Sequence, residues 1–325
     1  MNEAIPRSLR NPVTGGAASR ALLLGAGLVL SMVVGALLYM GALRTSDADA
    51  RMRFDGVARS AQYSLAARVK SYADVLRGMG AAFRTQDAPL SRRQFHEYVE
   101  SLDLAANYPA IEVASYAAYV TQGERDAFIA SVRADRSLVP AGYPSFEIKP
   151  PGRRPDYTVL AYIEPMSMLA EKFGNDISAK APVRTTLERS RDSGRLGASG
   201  TPIMVLNPTP HLSLGMRMPV YRTGAPLAGV DDRRRAYAGS VGINFSVQAL
   251  VHGALDELPV SGVRLSLYSD AGPGGPMEIE PGDTLLYSDE GALERSAISA
   301  AERDQYIDAV LPVESNGLKW KAQLR

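Results

Sequence analysis

The chain has no cysteine among its 325 residues, which excludes a disulfide framework and any thiolate metal site. Histidine is nearly as scarce. His96, His211 and His252 are the only three, and no two stand at ligand spacing, so no H-E-x-x-H or related metal motif can be drawn. An excess of charge of one sign is also missing: 36 basic residues face 35 acidic ones, a net charge of +1, without the basic surplus of nucleic-acid binders. "GASGT" at 197–201 has the wrong spacing for a G-x-S-x-G elbow. There is no P-loop, no G-x-G-x-x-G after a strand, and no EF-hand loop beside Asp270 or Asp283. No carboxylate pair stands out as an acid–base couple. Catalytic residues, metal ligands, cofactors and nucleic-acid partners are therefore all expected to be absent.

Proline is missing from Val13 to Ala88, and that stretch opens with an uninterrupted apolar run, "ALLLGAGLVLSMVVGALLYMGAL", at 21–43. At about 1.5 Å per residue, such a helix spans the roughly 30 Å hydrocarbon core of a bilayer. The rival is a cleaved signal peptide. The run is longer than a signal h-region, however, and "RTSDADARMRFDG" continues it as helix, so an uncleaved anchor is expected. Arg7, Arg10 and Arg20 precede the span while Arg44, Arg51 and Arg53 follow it, and with the two flanks tied the positive-inside rule does not choose an orientation. The short tail, 1–20, is assigned to the cytoplasm and the large polar body to the periplasmic or extracytoplasmic side of the inner (plasma) membrane. Gly27, Ser31 and Gly35 form a small-residue stripe along the span that lets helices approach closely.

Residues 44–88 read as a stalk helix. Val69, Tyr72, Leu76, Met79 and Phe83 step by 3 and 4, continued backwards by Leu65, Ala61, Val57 and Phe54. Such a stripe packs either on its own domain or on a second copy. Its continuity with the span favours the second, so a homodimer through stalk and span is expected. Gly78 and Gly80 weaken the helix end, and Ser91 is an N-cap for the next helix, "RRQFHEYVESL".

Beyond it the period changes. "AIEVASYAAYV" (110–120) reads as a strand and 121–135 as a helix. "YPSFEIKPPGRRPDYTVLAYIEP" reads as two strands about a Pro/Gly/Arg turn, and 181–194 as a helix stopped by Gly194. Strands at 201–206 and 213–221 follow. A charge-rich loop, 222–236, then divides this block from a second, which opens with "YAGSVGINFS" and holds the helix "LVHGALDEL" and the strands "VRLSLYSD", "TLLYSDE", "AVLPVES" and "KWKAQLR". Hairpin-ordered strands with intervening helices predict an antiparallel α+β fold.

In this order the stretches "YPAIEVASYAAYV", "ERDAFIASVR", "FEIKPPGRRPDYTVLAYIEP", "FGNDISAKAPVRTTLERSRDSG", "MPVY" and "YAGSVGINFSVQALV", spanning 90–251, resemble the CHASE domain, an extracytoplasmic sensor of membrane receptor kinases and cyclases. The resemblance implies a long N-terminal helix followed by two PAS-like subdomains, membrane-distal (89–221) and membrane-proximal (222–325). It also implies a small ligand in the distal one, adenine- or cytokinin-like in the plant receptors. There an acidic residue ending the matching strand binds the adenine ring, and that position falls on Glu164. Glu is longer by a methylene than the Asp of those receptors, which leaves the ligand open.

The residues make a separate case. Strand alternation puts Thr158, Leu160, Tyr162 and Glu164 on one face, an apolar wall ending in a strong acceptor, as small-ligand sites require. The alternative is that Glu164 pairs with Arg184 or another arginine. Ala198, Gly200 and Thr201 match the loop-to-strand region lining the plant site, and Met204 supplies an adaptable wall. Leu187 is expected in the core, and Asp176 and Arg184 as a link ordering the loop before the helix. The leading reading is a sensor that signals through the membrane to a histidine kinase or diguanylate cyclase beyond Arg325. The rival readings are an anchored binding or scaffold module without output and, less supported, an anchored hydrolase.

Overall fold

The computed structural model describes residues 16–85, 90–198, 202–205, 209–256, 263–270, 277–289, 307–315 and 318–325. Helix α1 (Gly16–Arg84) is followed by α2 (Arg92–Ser101), α3 (Leu104–Asn107), β1 (Ile111–Thr121), α4 (Arg125–Ala134) and β2 (Asp156–Glu164). Three 3₁₀ turns, Met166–Met168, Ala170–Lys172 and Ile177–Ala179, lead into α5 (Ala181–Ser193). Then come β3 (Gly197–Ala198), β4 (Ile203–Val205), β5 (His211–Tyr221), α6 (Val230–Ala236), β6 (Tyr237–Ser246) and α7 (Val247–Leu255). The last four strands are β7 (Leu265–Ser269), β8 (Thr284–Ser288), β9 (Ala309–Ser315) and β10 (Leu318–Leu324).

The strands form two antiparallel sheets. The first has the order β2-β1-β6-β5-β3, with β4 also on β5, and the second β8-β7-β10-β9. This is the mixed helix and antiparallel-sheet architecture, with PAS-like subdomains, that the sequence predicts. Ser91 caps α2 through a capping box with Gln94, and Gly194, at φ 71°, takes the left-handed turn that ends α5.

Two expectations are corrected. The segment before the Pro/Gly/Arg turn forms no strand. Its Phe146 and Ile148 are core residues beside Tyr157 and Val159, but Lys149 makes only an isolated bridge, to Asn175. Tyr237–Ser246 does not open the second sheet either. It lies at the centre of the first, between β1 and β5. The charged stretch 222–236, which includes α6, is the return connection of the antiparallel pair β5 and β6, and the small Gly239, Ser240 and Gly242 suit β6 to burial on both faces.

The chain divides into two compact units, Met1–Phe54 and Asp55–Arg325. In the first, Leu28, Leu30, Leu37, Leu38 and Tyr39 are exposed apolar side chains, and α1 is the one helix among the described residues long and apolar enough to cross a membrane. In the second, Ala61, Leu65, Val69, Tyr72, Leu76, Met79 and Phe83 are buried. Tyr72 meets Phe245 edge-on at 5.6 Å, and Phe83 stacks on Tyr116 at 4.5 Å. Gln62 donates to Pro312 O at 2.6 Å, and Arg68 to Gly253 O. The stripe expected to meet a second copy is thus occupied within the chain. Gly78 and Gly80 are close-approach positions on the helix. A Cβ on the first would lie 2.7 Å from the Tyr98 hydroxyl, and one on the second 3.4 Å from Met218 Sδ.

Candidate functional site

The first sheet turns one face to α1 and the other to a cavity. Tyr116, Val241, Ile243, Phe245, Met216 and Met218 share the α1 face by alternation, consistent with the ring contacts above. On the opposite face the strand register sets small and polar residues in two rows. Ile163, Ser115, Gly242 and Arg217 form one row across β2, β1, β6 and β5. Val113, Asn244 and Gly215 form the next. Segment 165–183 lies opposite. It hangs on the outer edge of β2, where Leu160 N–H donates to Asn175 O at 2.9 Å and Gly174 N–H to Leu160 O at 3.0 Å.

Between sheet and segment is a cavity of about 230 Å3. Leu160, Ile163, Leu169 and Ile177 supply its apolar wall, and Ser115, Asn175, Asn244, Lys172, Lys180 and Arg217 its polar groups. The volume falls below the roughly 300–1,000 Å3 of drug-sized ligand sites, so it suits a small metabolite.

Arg217 is the central polar group. Nε donates to Ser240 Oγ at 2.9 Å, Nη2 to Ser240 O at 2.9 Å and Nη1 to Ser115 Oγ at 3.2 Å. All three acceptors are neutral. Burial pulls the guanidinium down to about 10, opposed by Tyr237; it remains cationic at neutral pH. Gly242 makes room for it, since a Cβ there would lie 2.5 Å from Nη1.

Asp176 is the one carboxylate among the described lining residues, and its oxygens are already engaged. Oδ2 accepts from Arg154 Nε at 3.0 Å. Oδ1 accepts from Thr158 N–H at 2.9 Å, Ser178 N–H at 3.0 Å and Ser178 Oγ at 2.6 Å. The ordering link of this loop is therefore Asp176–Arg154. Arg184 instead bonds Asp156 at 2.8 Å and the Ser178 carbonyl at 3.1 Å, and Leu187 is buried as expected.

Leu160, Tyr162 and Glu164 do not share a face. Leu160 pairs with Ala117 and Tyr162 with Tyr116, so β2 carries an extra residue, Ala161, at a bulge. A bulge reverses the alternation beyond it. Leu160 therefore joins Ile163 on the cavity side, while Tyr162 packs with Val159 and Ala161 on the other. Tyr162 donates to Leu90 O at 3.1 Å and stands 5.6 Å from Phe95. The guanidinium of Arg92, 2% exposed, lies 4.9 Å over its ring.

Among the described residues Glu164 pairs with no arginine, and it does not line the cavity. Its Oε2 lies 3.0 Å from His96 Nδ1, an ion-pair distance without hydrogen-bond alignment. Ala198 pairs with Met216 at the sheet edge. Met204 is exposed while its neighbour Ile203 lines the cavity. Gly200 and Thr201 lie outside the described residues. The sequence reading missed Arg217, Ser115 and Asn244. The signal was present in "SLGMRMPVY", where Leu214, Met216 and Met218 take one face and leave Arg217 on the other.

Among solved structures, the chain is similar to the ligand-binding domain of the Pseudomonas aeruginosa PAO1 amino acid chemoreceptor PctC in complex with GABA, at 14% identity over 85% of this chain and 98% of that one, TM-score 0.46. It is also similar to the periplasmic sensory domain of the Campylobacter jejuni chemoreceptor Tlp1, at 12% identity over 83% and 90%, TM-score 0.38. No curated protein matches the chain. The CHASE domain profile matches residues 89–279, more than half of the chain and the whole of the cavity's lining. The chain belongs to the CHASE-domain family of sensors.

Proposed function

We propose that this chain is the ligand-sensing region of a membrane receptor, with the cavity of the first sheet as its sensory site. The observation that carries this reading is the placement of cavity and stalk on opposite faces of one sheet. Ser115 and Arg217 line the cavity, while their chain neighbours Tyr116 and Met218 meet Phe83 and Gly80 of α1. A ligand that draws the β1 and β5 rows together repacks the α1 face at the same residues. Packed cores respond by discrete rearrangement rather than by smooth deformation. The ligand biases α1 only to the extent that it binds one arrangement more tightly than the other.

In this reading α1 anchors the chain in the inner membrane, with residues 89–325 on the extracytoplasmic side. The signal passes to a cytoplasmic output of the histidine kinase or diguanylate cyclase class. Two copies pair through Gly27, Ser31 and Gly35, because the stripe from Ala61 to Phe83 is buried within the chain. Of the described residues predicted from sequence to bind a ligand, Leu160 is the one that lines this cavity.

The test is a thermal-shift screen of the full chain in detergent micelles against purines, amino acids and organic acids. A ligand at a hundred times its dissociation constant adds about 2.7 kcal/mol of stability. Val183→Trp, which puts a large ring on the cavity's lining, is expected to abolish that gain. A gain that survives the substitution places the ligand elsewhere and overturns the assignment. The scaffold reading gains if no small molecule stabilises the chain.

A further inference from the structure

Resting on that reading, we propose that the ligand is a small carboxylate bearing no cationic group, held through its carboxylate by Arg217. A guanidinium offers five N–H donors in a fixed fork, and Arg217 uses three of them on Ser240 and Ser115. One donor is left on each terminal nitrogen, the pair that a carboxylate takes side by side. Among the described residues no carboxylate forms an ion pair with Arg217, although it sits in a partly buried cavity. A cation withdrawn from water without a counterion is costly, and an anionic ligand removes that cost.

The rest of the lining sets the ligand's class. Lys172, which also faces Glu171 at 3.6 Å, and Lys180 add positive charge at the cavity wall. Asp176, fully buried and with four donors already on its two oxygens, has its charge matched by Arg154. An amino acid would bring an ammonium group into a lining whose one carboxylate among the described residues is already matched by Arg154. The amides of Asn175 and Asn244 line the same space, and no hydrogen bond engages either side chain among the described residues. They suit a hydroxyl or keto oxygen, and Leu160 and Ile163 suit a short apolar chain. A short hydroxy, keto or dicarboxylic acid satisfies all of these groups, and the cavity's small volume holds little more.

The experiment is isothermal titration of the full chain in detergent micelles with short hydroxy-, keto- and dicarboxylates. Each acid is run beside its amide, with alanine, adenine and inorganic phosphate as further arms. At least one acid is expected to bind while its amide does not. Arg217→Gln is expected to weaken that acid tenfold or more, and Arg217→Lys, which keeps charge but not the fork, by less. Binding of alanine, adenine, phosphate or an amide in place of the acids, abolished by Val183→Trp, overturns the carboxylate assignment and leaves the sensory cavity standing. Binding by no member of the panel overturns both. Should Arg217→Gln fail to fold, the comparison of acid with amide on the unaltered chain decides the matter alone.

Discussion

Each of the two sheets carries a cation on a strand, fully buried in one and partly buried in the other, and they treat it differently. In the second sheet Lys321 is fully buried, with Asp283 at 2.9 Å and Asp270 at 3.3 Å from its ammonium. Burial alone would lower its pKa, but the two aspartates outweigh that and raise it. In the first sheet Arg217 has only neutral partners among the described residues, and burial lowers it to about 10. A matched buried cation holds a structure together. An unmatched one is retained at a cost, and such costs concentrate where a protein binds something.

Four substitutions break or sharpen this contrast. Lys321→Gln removes the cation that Asp270 and Asp283 share in the second sheet and is expected to lower the melting temperature most, on the order of 10 °C, with acid binding in the first sheet intact at lower temperature. Asp176→Ala, which frees Arg154 and three further donors, is expected to cost about 3 kcal/mol in denaturant unfolding. Gly242→Ala pushes on Nη1 of Arg217 without touching the core. Titration should show affinity falling about tenfold, with stability changed by less than about 1 kcal/mol. Glu164→Gln severs only the contact with His96 and is expected to cost under about 1 kcal/mol and leave ligand affinity unchanged. A loss of affinity would bring Glu164 back into the site.

The smallest effect concerns pH. Burial acts to lower the pKa of His211, but its contacts with the Thr209 carbonyl and the Glu112 carboxylate outweigh this and raise it. A raised histidine pKa contributes stability that is fully present below the unfolded value, about 6.5, and is lost as pH rises through the folded value. Denaturation of the unaltered chain and of His211→Gln should therefore differ at about pH 5.5, by under about 1 kcal/mol, and converge by about pH 9.

Much of the fold was legible because its signals are local. The proline-free stretch from Val13 to Ala88 and its apolar stripe predict α1, Ser91 predicts the start of α2, and Gly194 the end of α5. Sheet membership was not legible, because the order of strands depends on long-range pairing. A charged loop such as 222–236 looks the same whether it ends a domain or returns a strand. The site was half legible. The resemblance pointed to β2, and of its proposed residues Leu160 lines the proposed cavity. The alternation rule then failed at Ala161, because one inserted residue exchanges the faces of everything after it and leaves no trace in the apolar pattern. Arg217 was overlooked as one charge among many, since only the fold shows that it lines a cavity and that no carboxylate among the described residues pairs with it.

The most direct test of the contrast is to melt Arg217→Gln and Lys321→Gln beside the unaltered chain, without and with the tightest-binding acid. Without acid, Arg217→Gln is predicted to melt within about 1 kcal/mol of the unaltered chain while Lys321→Gln melts far below it. With acid, only Arg217→Gln is predicted to lose the ligand-induced rise. If Arg217→Gln instead keeps the full ligand-induced rise, Arg217 does not hold the acid and the account of the site is wrong.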